Sequence, residues 1–401
     1  MAEPTPAPRP RALVVADSDS YLKWAVRRAE DLRETYDVEL LVVRNAVTPS
    51  AAQMDAAVDG RLSAAPAIIG MDALVSRLRL TPPALLLLAC RGPLIELLLL
   101  ERLGGRRAAT VVAAGIPGIW YPPTELGLRL RAACDLMVVH SERERDAVAE
   151  TLPQGRLRAV GLASLIEDQE VGRSPRPRIV FAPQALVPAA LEDRRRLLAS
   201  LGALAAAHPE LDVVVKLRGV AGEAQTHKEA APYDALAEGM DLPGNLVFAQ
   251  GPLRAYLGDC EGFVTVSSTA ALEAIAAGVP TLVLDEFGVS ADVINAVFEG
   301  SGLFGGLADL EARRFRAPDP DWLAANYFHG DDDWVEVARG MEPGDPAPLP
   351  DRLASPLQLR RRMFRRAVAL GDADTSLTGR LMRLARPLVR WLESTVRGRR
   401  K

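Results

Sequence analysis

Residues 264–288 read VTVSSTAALEAIAAGVPTLVLDEFG. An apolar run ending at Val266 meets three small hydroxyls, Ser267, Ser268 and Thr269. An alanine-rich stretch follows, Gly278-Val279-Pro280 stops it, and Thr281–Leu284 is a second apolar run. Gly closes helices and Pro does not continue them, so the pattern is strand, helix, strand. Two strands joined through a helix pair in parallel. The hydroxyls sit where the strand becomes the helix, and two readings apply. Orphan N–H groups and the positive end of the helix dipole attract phosphate. Ser and Thr are equally good N-caps. Glu273 lies six residues after Ser267, within the first two helical turns. A carboxylate there accepts hydrogen bonds from a ribose diol, while hydroxyls and N–H groups take a phosphate or diphosphate. The alternative for Glu273 is a carboxylate on a helix surface.

The same alternation runs outward in both directions. Buried parallel strands read as continuous aliphatic runs. Residues 12–16, 38–43, 84–89, 109–115 and 135–140 fit this in the first half, and 179–183, 211–217, 245–250, 262–266 and 280–284 in the second. Helical segments lie between them. Gly161–Pro177 is polar and interrupted by Gly and Pro, as a linker is. The expected fold is α/β: two Rossmann-like doubly wound domains, 10–165 and 177–350, facing a central cleft, with a basic helical tail over 351–401. Ligands of such sheets bind at the strands' carboxyl ends, so the cleft is the expected site.

Composition narrows the classes. The chain has 401 residues, 49% hydrophobic and 25% charged, as in globular proteins. Its three Cys (Cys90, Cys134, Cys260) are scattered without metal spacing, which predicts a reducing, cytoplasmic compartment. No secretory signal core is evident. The most apolar stretch, ALLLLACRGPLIELLLL, is interrupted by Arg91, Pro93 and Glu96, which predicts a strand, a turn and a core helix rather than a membrane span. No metal is expected. His329 with Asp331, Asp332 and Asp333 lacks ligand spacing, and the Pro- and Trp-containing segment 317–350 reads as a solvated loop. No organic cofactor is implied.

Residues SSTAALEAIAAGVPTLVL resemble the nucleotide-binding segment of GT-B fold glycosyltransferases and of the related UDP-sugar 2-epimerases. CDLMVVHSERERDAVAE followed by LRAVGLASL is similar to the end of the first GT-B domain, and IVFAPQ to the start of the second. The likeness spans roughly residues 10–310 and includes actinobacterial glycosyltransferases and, more distantly, capsule-type sialyl or Kdo transferases. At the place of the Lys/Arg-His-Pro motif of those transferases, this chain reads VVVKLRGVAGEAQTHKE: Lys216 and Arg218 match the basic contact, and Gly219 stands where His-Pro is expected. The resemblance implies a nucleotide-sugar donor. Its phosphates would lie on Ser267, Ser268, Thr269, Lys216 and Arg218, its ribose on Glu273, with Gln184 near base or phosphate. Each has a structural alternative: a cap, a salt-bridged strand end, a loop amide. His227 and Lys228 read as solvated. The acceptor would be a glycan or a lipid-linked glycan, and the transfer metal-independent.

In the first domain, ADSDSYLKW puts Asp17 and Asp19 at the carboxyl end of the first strand. An inverting transferase needs a base for the acceptor hydroxyl, and either Asp is the candidate; Asp19 equally suits the helix start. Arg91 and the segment 115–121 line the same edge, and His140 ends the fifth strand as an acid/base or a structural histidine. Charge is uneven. Residues 351–401 hold 14 Lys/Arg against 4 Asp/Glu, leaving −14 for the rest. Leu377, Leu381, Leu384, Leu388 and Trp391 recur at helical spacing among arginines, which suits a helix on an anionic membrane at the inner face of the plasma membrane, or one packed on domain one. Nucleic acid is not expected as a partner, because the body is acidic. A 2-epimerase and a non-catalytic membrane-associated scaffold are the competing readings.

Overall fold

Strand β1 (Arg11–Ala16) is buried along nearly its whole length because both its faces carry aliphatic side chains. In the computed structural model Val14 sits between Leu40 of β2 (Asp37–Val43) and Leu87 of β4 (Leu85–Ala89), all parallel. The structure describes residues 8–345 other than 59, 63–64, 152–156, 167–170, 218–230 and 331, and residues 356–381 other than 378. Adding β3 (Ala67–Ile69), β5 (Val111–Gly115), β6 (Leu136–Val139) and β7 (Ala159–Leu162) completes a seven-stranded parallel sheet in the order β3-β2-β1-β4-β5-β6-β7. Two apolar layers cover its faces. One is built on the first helix, Asp19–Leu32, the other on Met71–Leu80 and Gly92–Glu96, which continues as a wider π turn over Leu97–Arg102.

The second sheet has six parallel strands: β8 (Arg178–Ala182), β9 (Asp212–Lys216), β10 (Leu246–Ala249), β11 (Cys260–Thr265), β12 (Thr281–Leu284) and β13 (Phe304–Gly305). Their order is β10-β9-β8-β11-β12-β13. Val180 pairs with Val214 on one side and Phe263 on the other. The helix Leu191–Ala207 covers one face, and Ala270–Ala276 joins β11 to β12. The strand order reverses between β1 and β4 in the first sheet and between β8 and β11 in the second. Crevices open at such reversals.

Two expectations change beyond the linker. Residues 317–350 are not one solvated loop: they contain the helices Pro320–Ala325 and Trp334–Gly340. The second domain also ends earlier than residue 350. The Trp322 indole donates to Val297 O (2.8 Å) in the second domain, whereas Trp334 Nε1 donates to Asp31 Oδ2 (2.9 Å) in the first. A Cβ on Gly161 would lie 2.7 Å from Trp334 Cα, so only glycine lets β7 meet this returning helix. The apolar faces of 334–341 found their partner on domain one. The tail helix, Pro356–Leu370, also lies there, with Ala369 and Leu370 in the core and Arg362 on Glu101 (3.1 Å) and Arg365 on Glu96 (3.0 Å). Of the apolar stripe expected beyond it, Leu377 and Leu381 are exposed, and Leu384, Leu388 and Trp391 lie outside the described residues. Among the described residues no helix is long and apolar enough to cross a membrane.

Candidate active site

A cavity of about 710 Å³ opens between the two sheets. Its first wall comes from the helix Asp19–Leu32, where Lys23 and Arg27 are four residues apart and so project from one face with Trp24 between them. Arg61, Pro117 and Gly118 extend this wall. The second wall is the helix Ala270–Ala276, through Leu272, Glu273, Ala276 and Ala277, with Thr269 at its start and Arg254 and Leu257 beside it. The walls touch at Gly118, which has φ +97°. A Cβ there would come within 2.9 Å of Thr269 Oγ1.

The three hydroxyls differ in what they meet. Ser268 Oγ accepts from Ala270 N (3.2 Å) and caps the turn, while its own N–H donates to Thr265 Oγ1 (3.1 Å). Thr269 faces the cavity. Ser267 is 2% exposed, and its Oγ has no hydrogen-bond partner among the described residues. Gln184, after β8, reaches the same turn: its amide donates to Ser267 O (3.4 Å) and its Oε1 accepts from Ala185 N (3.1 Å). Glu273 opens into the cavity. Crowding by surrounding protein raises its carboxyl above the usual range, and Arg27, Lys216, Lys23 and Arg254 pull it down in that order. Burial, with Arg28 and Arg61 nearby, lowers the Arg27 guanidinium to about 10. One carboxylate thus lies within electrostatic reach of four cations. Lys216 ends β9, half-buried, with its ammonium donating to Leu217 O (2.8 Å). Arg218, His227 and Lys228 lie outside the described residues.

The first-domain candidates separate. Asp17 is fully buried at the β1–β4 reversal, where its Oδ2 accepts from Arg91 Nε (2.8 Å). Arg91 also holds Asn45 Oδ1 (2.9 Å), and Asn45 Nδ2 donates to Asp17 O (2.6 Å). Burial raises the Asp17 carboxyl, and Arg91 opposes that rise. In this arrangement Asp17 does not reach an acceptor, because it has no exposed surface. Asp19 begins the first helix and pairs with the cavity residue Lys23 (2.9 Å). His140 is a structural histidine. Trp24 Nε1 donates to its Nε2 (2.8 Å), which leaves Nδ1 to donate to Ala163 O (2.7 Å), and burial lowers the ring to about 3. Glu144, also buried, accepts from the backbone N–H of Trp120 (2.8 Å) and of His140 (2.9 Å) and from Tyr327 Oη (2.6 Å). Lys23 and Arg27 were findable as an i, i+4 pair after the first strand. Arg61 and Arg254 reach the cavity only through tertiary packing and leave no pattern in the sequence. Among the described residues, no group of three or more His, Cys, Asp or Glu is placed to hold a metal ion.

The sequence profile of the family described as "Putative glycosyltransferase (DUF6716)" matches residues 12–341. The chain belongs to this family. The match takes in both sheets and the returning helix Trp334–Gly340, so the family is defined by the whole two-domain unit. No curated protein matches the chain significantly. Solved structures share the fold. A UDP-glucosyltransferase from Polygonum tinctorium, capable of glucosylating indoxyl, is 15% identical with a TM-score of 0.54, covering 84% of this chain and 99% of its own. The UDP complex of MnaA from S. aureus is 13% identical with a TM-score of 0.54, covering 82% and 94%. The UDP-GlcNAc 2-epimerase of Methanocaldococcus jannaschii is 8% identical with a TM-score of 0.53, covering 82% and 98%. At these identities the likeness establishes the fold, two facing Rossmann-like domains of the GT-B type.

Proposed function

We propose that the protein transfers a sugar from a nucleotide-sugar donor to a glycan or lipid-linked acceptor. The observation that carries this reading is the interdomain cavity, in which Glu273 and Thr269 of one wall face Lys23 and Arg27 of the other. The donor's diphosphate lies at the Ser267–Thr269 turn, its ribose on Glu273, and cationic side chains rather than a divalent ion neutralise the leaving nucleotide. Lys216, the last residue of β9, and Arg218, two residues on in sequence, belong to that set. Of the two acceptor bases considered, Asp19 is the better placed, because a base must reach the hydroxyl it deprotonates. A lipid-linked acceptor would put the protein at the inner face of the plasma membrane. The fold equally serves 2-epimerases, and turnover of a UDP-sugar without any acceptor would favour that reading.

The test is a thermal-shift titration with UDP, GDP, CMP, CDP and dTDP, with and without Mg²⁺. A ligand at a hundred times its Kd stabilises the native state by about 2.7 kcal/mol. One nucleotide should raise the melting point without metal, and Thr269→Asp should abolish the effect. No shift with any of the five would sink the transferase and the epimerase together.

A further inference from the structure

The tail helix Pro356–Leu370 ends over the carboxyl edge of the first sheet, where the strand order reverses between β1 and β4. Three contacts place it there. Arg91, after β4, donates to Val368 O (3.4 Å) and Ala369 O (3.3 Å) in the last helical turn, while it holds Asp17 after β1 and Asn45 after β2. A cation at that end of a helix meets orphan carbonyls and the negative end of the dipole. Ala369 and Leu370 are buried in the apolar layer that contains Cys90, the residue between β4 and Arg91. Gly371, just past the helix, has φ +56°, and a Cβ on it would lie 2.7 Å from the Cβ of Ala46, after β2. The helix thus ends on the crevice from which sheets of this kind take ligands.

The hold on the helix is light. Among its described residues, Ala369 and Leu370 are the buried apolar side chains, whereas Met363, Phe364 and Val368 are exposed. Arg366 is engaged by Asp374 (2.5 Å), within the tail itself. The rest of the grip is ionic, Arg362 on Glu101 (3.1 Å) and Arg365 on Glu96 (3.0 Å), with both arginines partly exposed. Such pairs are individually weak. The returning helix Trp334–Gly340 is anchored differently, by a fully buried indole, and it lies inside the family unit of residues 12–341, whereas the tail helix lies beyond it. We propose that the helix Pro356–Leu370 is a releasable cover, which shuts the β1–β4 crevice of domain one and opens it when its ion pairs to Glu96 and Glu101 let go. This rests on the reading of domain one as the acceptor half and adds a regulation to it: access to the edge that carries Asp17 depends on the tail.

Cys90 is the probe, because a buried thiol reacts only when its cover opens. The full-length protein is treated with N-ethylmaleimide, and labelling is read at each cysteine by peptide mass spectrometry. Cys90 of the parent should react slowly. Arg362→Glu/Arg365→Glu sets like charges against Glu101 and Glu96, and its Cys90 should react at least about tenfold faster. Adding Glu96→Arg/Glu101→Arg to that variant reverses both pairs and should restore the parent rate. Ala46→Trp, at an exposed position, crowds Gly371 without touching the ion pairs and should also speed the reaction, which keeps the test alive should the charge variant melt early. Cys134, fully buried in the same layer just before β6, should stay protected throughout. The proposal is overturned if either folded variant leaves Cys90 at the parent rate, or if the reversed pairs do not restore it. It is also overturned if Cys134 accelerates alongside Cys90, since the opening is then unfolding of the domain. The readout needs no nucleotide, so a fixed tail fails here while the nucleotide site still passes the thermal-shift test.

Discussion

The two sheets reverse their strand order in the same way, yet the two reversals are finished differently. In domain one the crevice is filled. Asp17, Arg91 and Asn45 bond one another, and Arg91 also donates to Val368 O (3.4 Å) and Ala369 O (3.3 Å) of the tail helix. In domain two the corresponding edge keeps Gln184, Ser267 and Thr269 around a turn, and Thr269 lines the open cavity. Both edges leave buried oxygens unpartnered among the described residues: Asp17 Oδ1, Ser18 Oγ and Asp19 Oδ1 in domain one, Ser267 Oγ in domain two. A buried polar group without a partner is costly, and a ligand that supplies the partner recovers that cost. Polar side chains at a carboxyl edge are thus no sign of a site by themselves. Nor is an unpartnered oxygen, since both edges carry them; the sign is whether the edge opens on a cavity.

The comparison can be broken by substitution, beginning with the largest effect. Glu144→Ala strips three donors of their acceptor in the closed domain, and a loss of roughly 3–5 kcal/mol of stability is expected, read from the thermal midpoint. Asp17→Ala leaves Arg91 without its charge partner and should cost about 3 kcal/mol. If Asp17→Ala instead melts like the parent while sugar transfer disappears, domain one is not closed and Asp17 is the base after all. Glu273→Ala, on the open side, should leave the melting point nearly unchanged and weaken nucleotide binding about tenfold, roughly 1.4 kcal/mol. A drop in stability without loss of binding would make Glu273 a strut.

The last effect concerns pH and is the most gradual. His140 has a folded pKa of about 3, below the 6.5 of the free ring. Between those values the unfolded chain binds a proton that the native state refuses. The stability contributed by neutral His140 is whole above pH 6.5 and is lost as pH falls toward 3, by at most about 1.4 kcal/mol per pH unit. Glu144, raised by burial, works in the opposite sense, so the difference between parent and His140→Gln isolates the histidine. That difference should shrink as the pH is lowered from 7 to 4. A constant difference would mean that His140 titrates in the folded protein as it does in the unfolded chain, and that burial does not hold it neutral.

Much of this was legible in the sequence because buried parallel strands are written as unbroken aliphatic runs. β1, β4, β5, β8 and β11 appear where Val and Leu run together. Short edge strands such as Ala67–Ile69 and Phe304–Gly305 carry too few residues to show a pattern. The return of the chain to domain one was invisible for another reason: Trp334 and Gly161 are complementary in shape, and complementarity has no local signature. At the site, Thr269 and Glu273 were readable from their place on one helix. The burial of Asp17 was not, since it depends on Arg91, 74 residues away.

The return has a mechanical consequence. The backbone passes between the halves twice, once through the stretch after β7 and once between Tyr327, which bonds Glu144, and Asp333, whose Oδ1 accepts from Leu162 N (2.7 Å). The two crossings meet where Asp333 joins Leu162, so the halves are held by two passes of backbone rather than one. They also mean that a fragment ending at residue 165 would lack a piece of its own first half, with nothing to fill the space Trp334 takes beside Gly161.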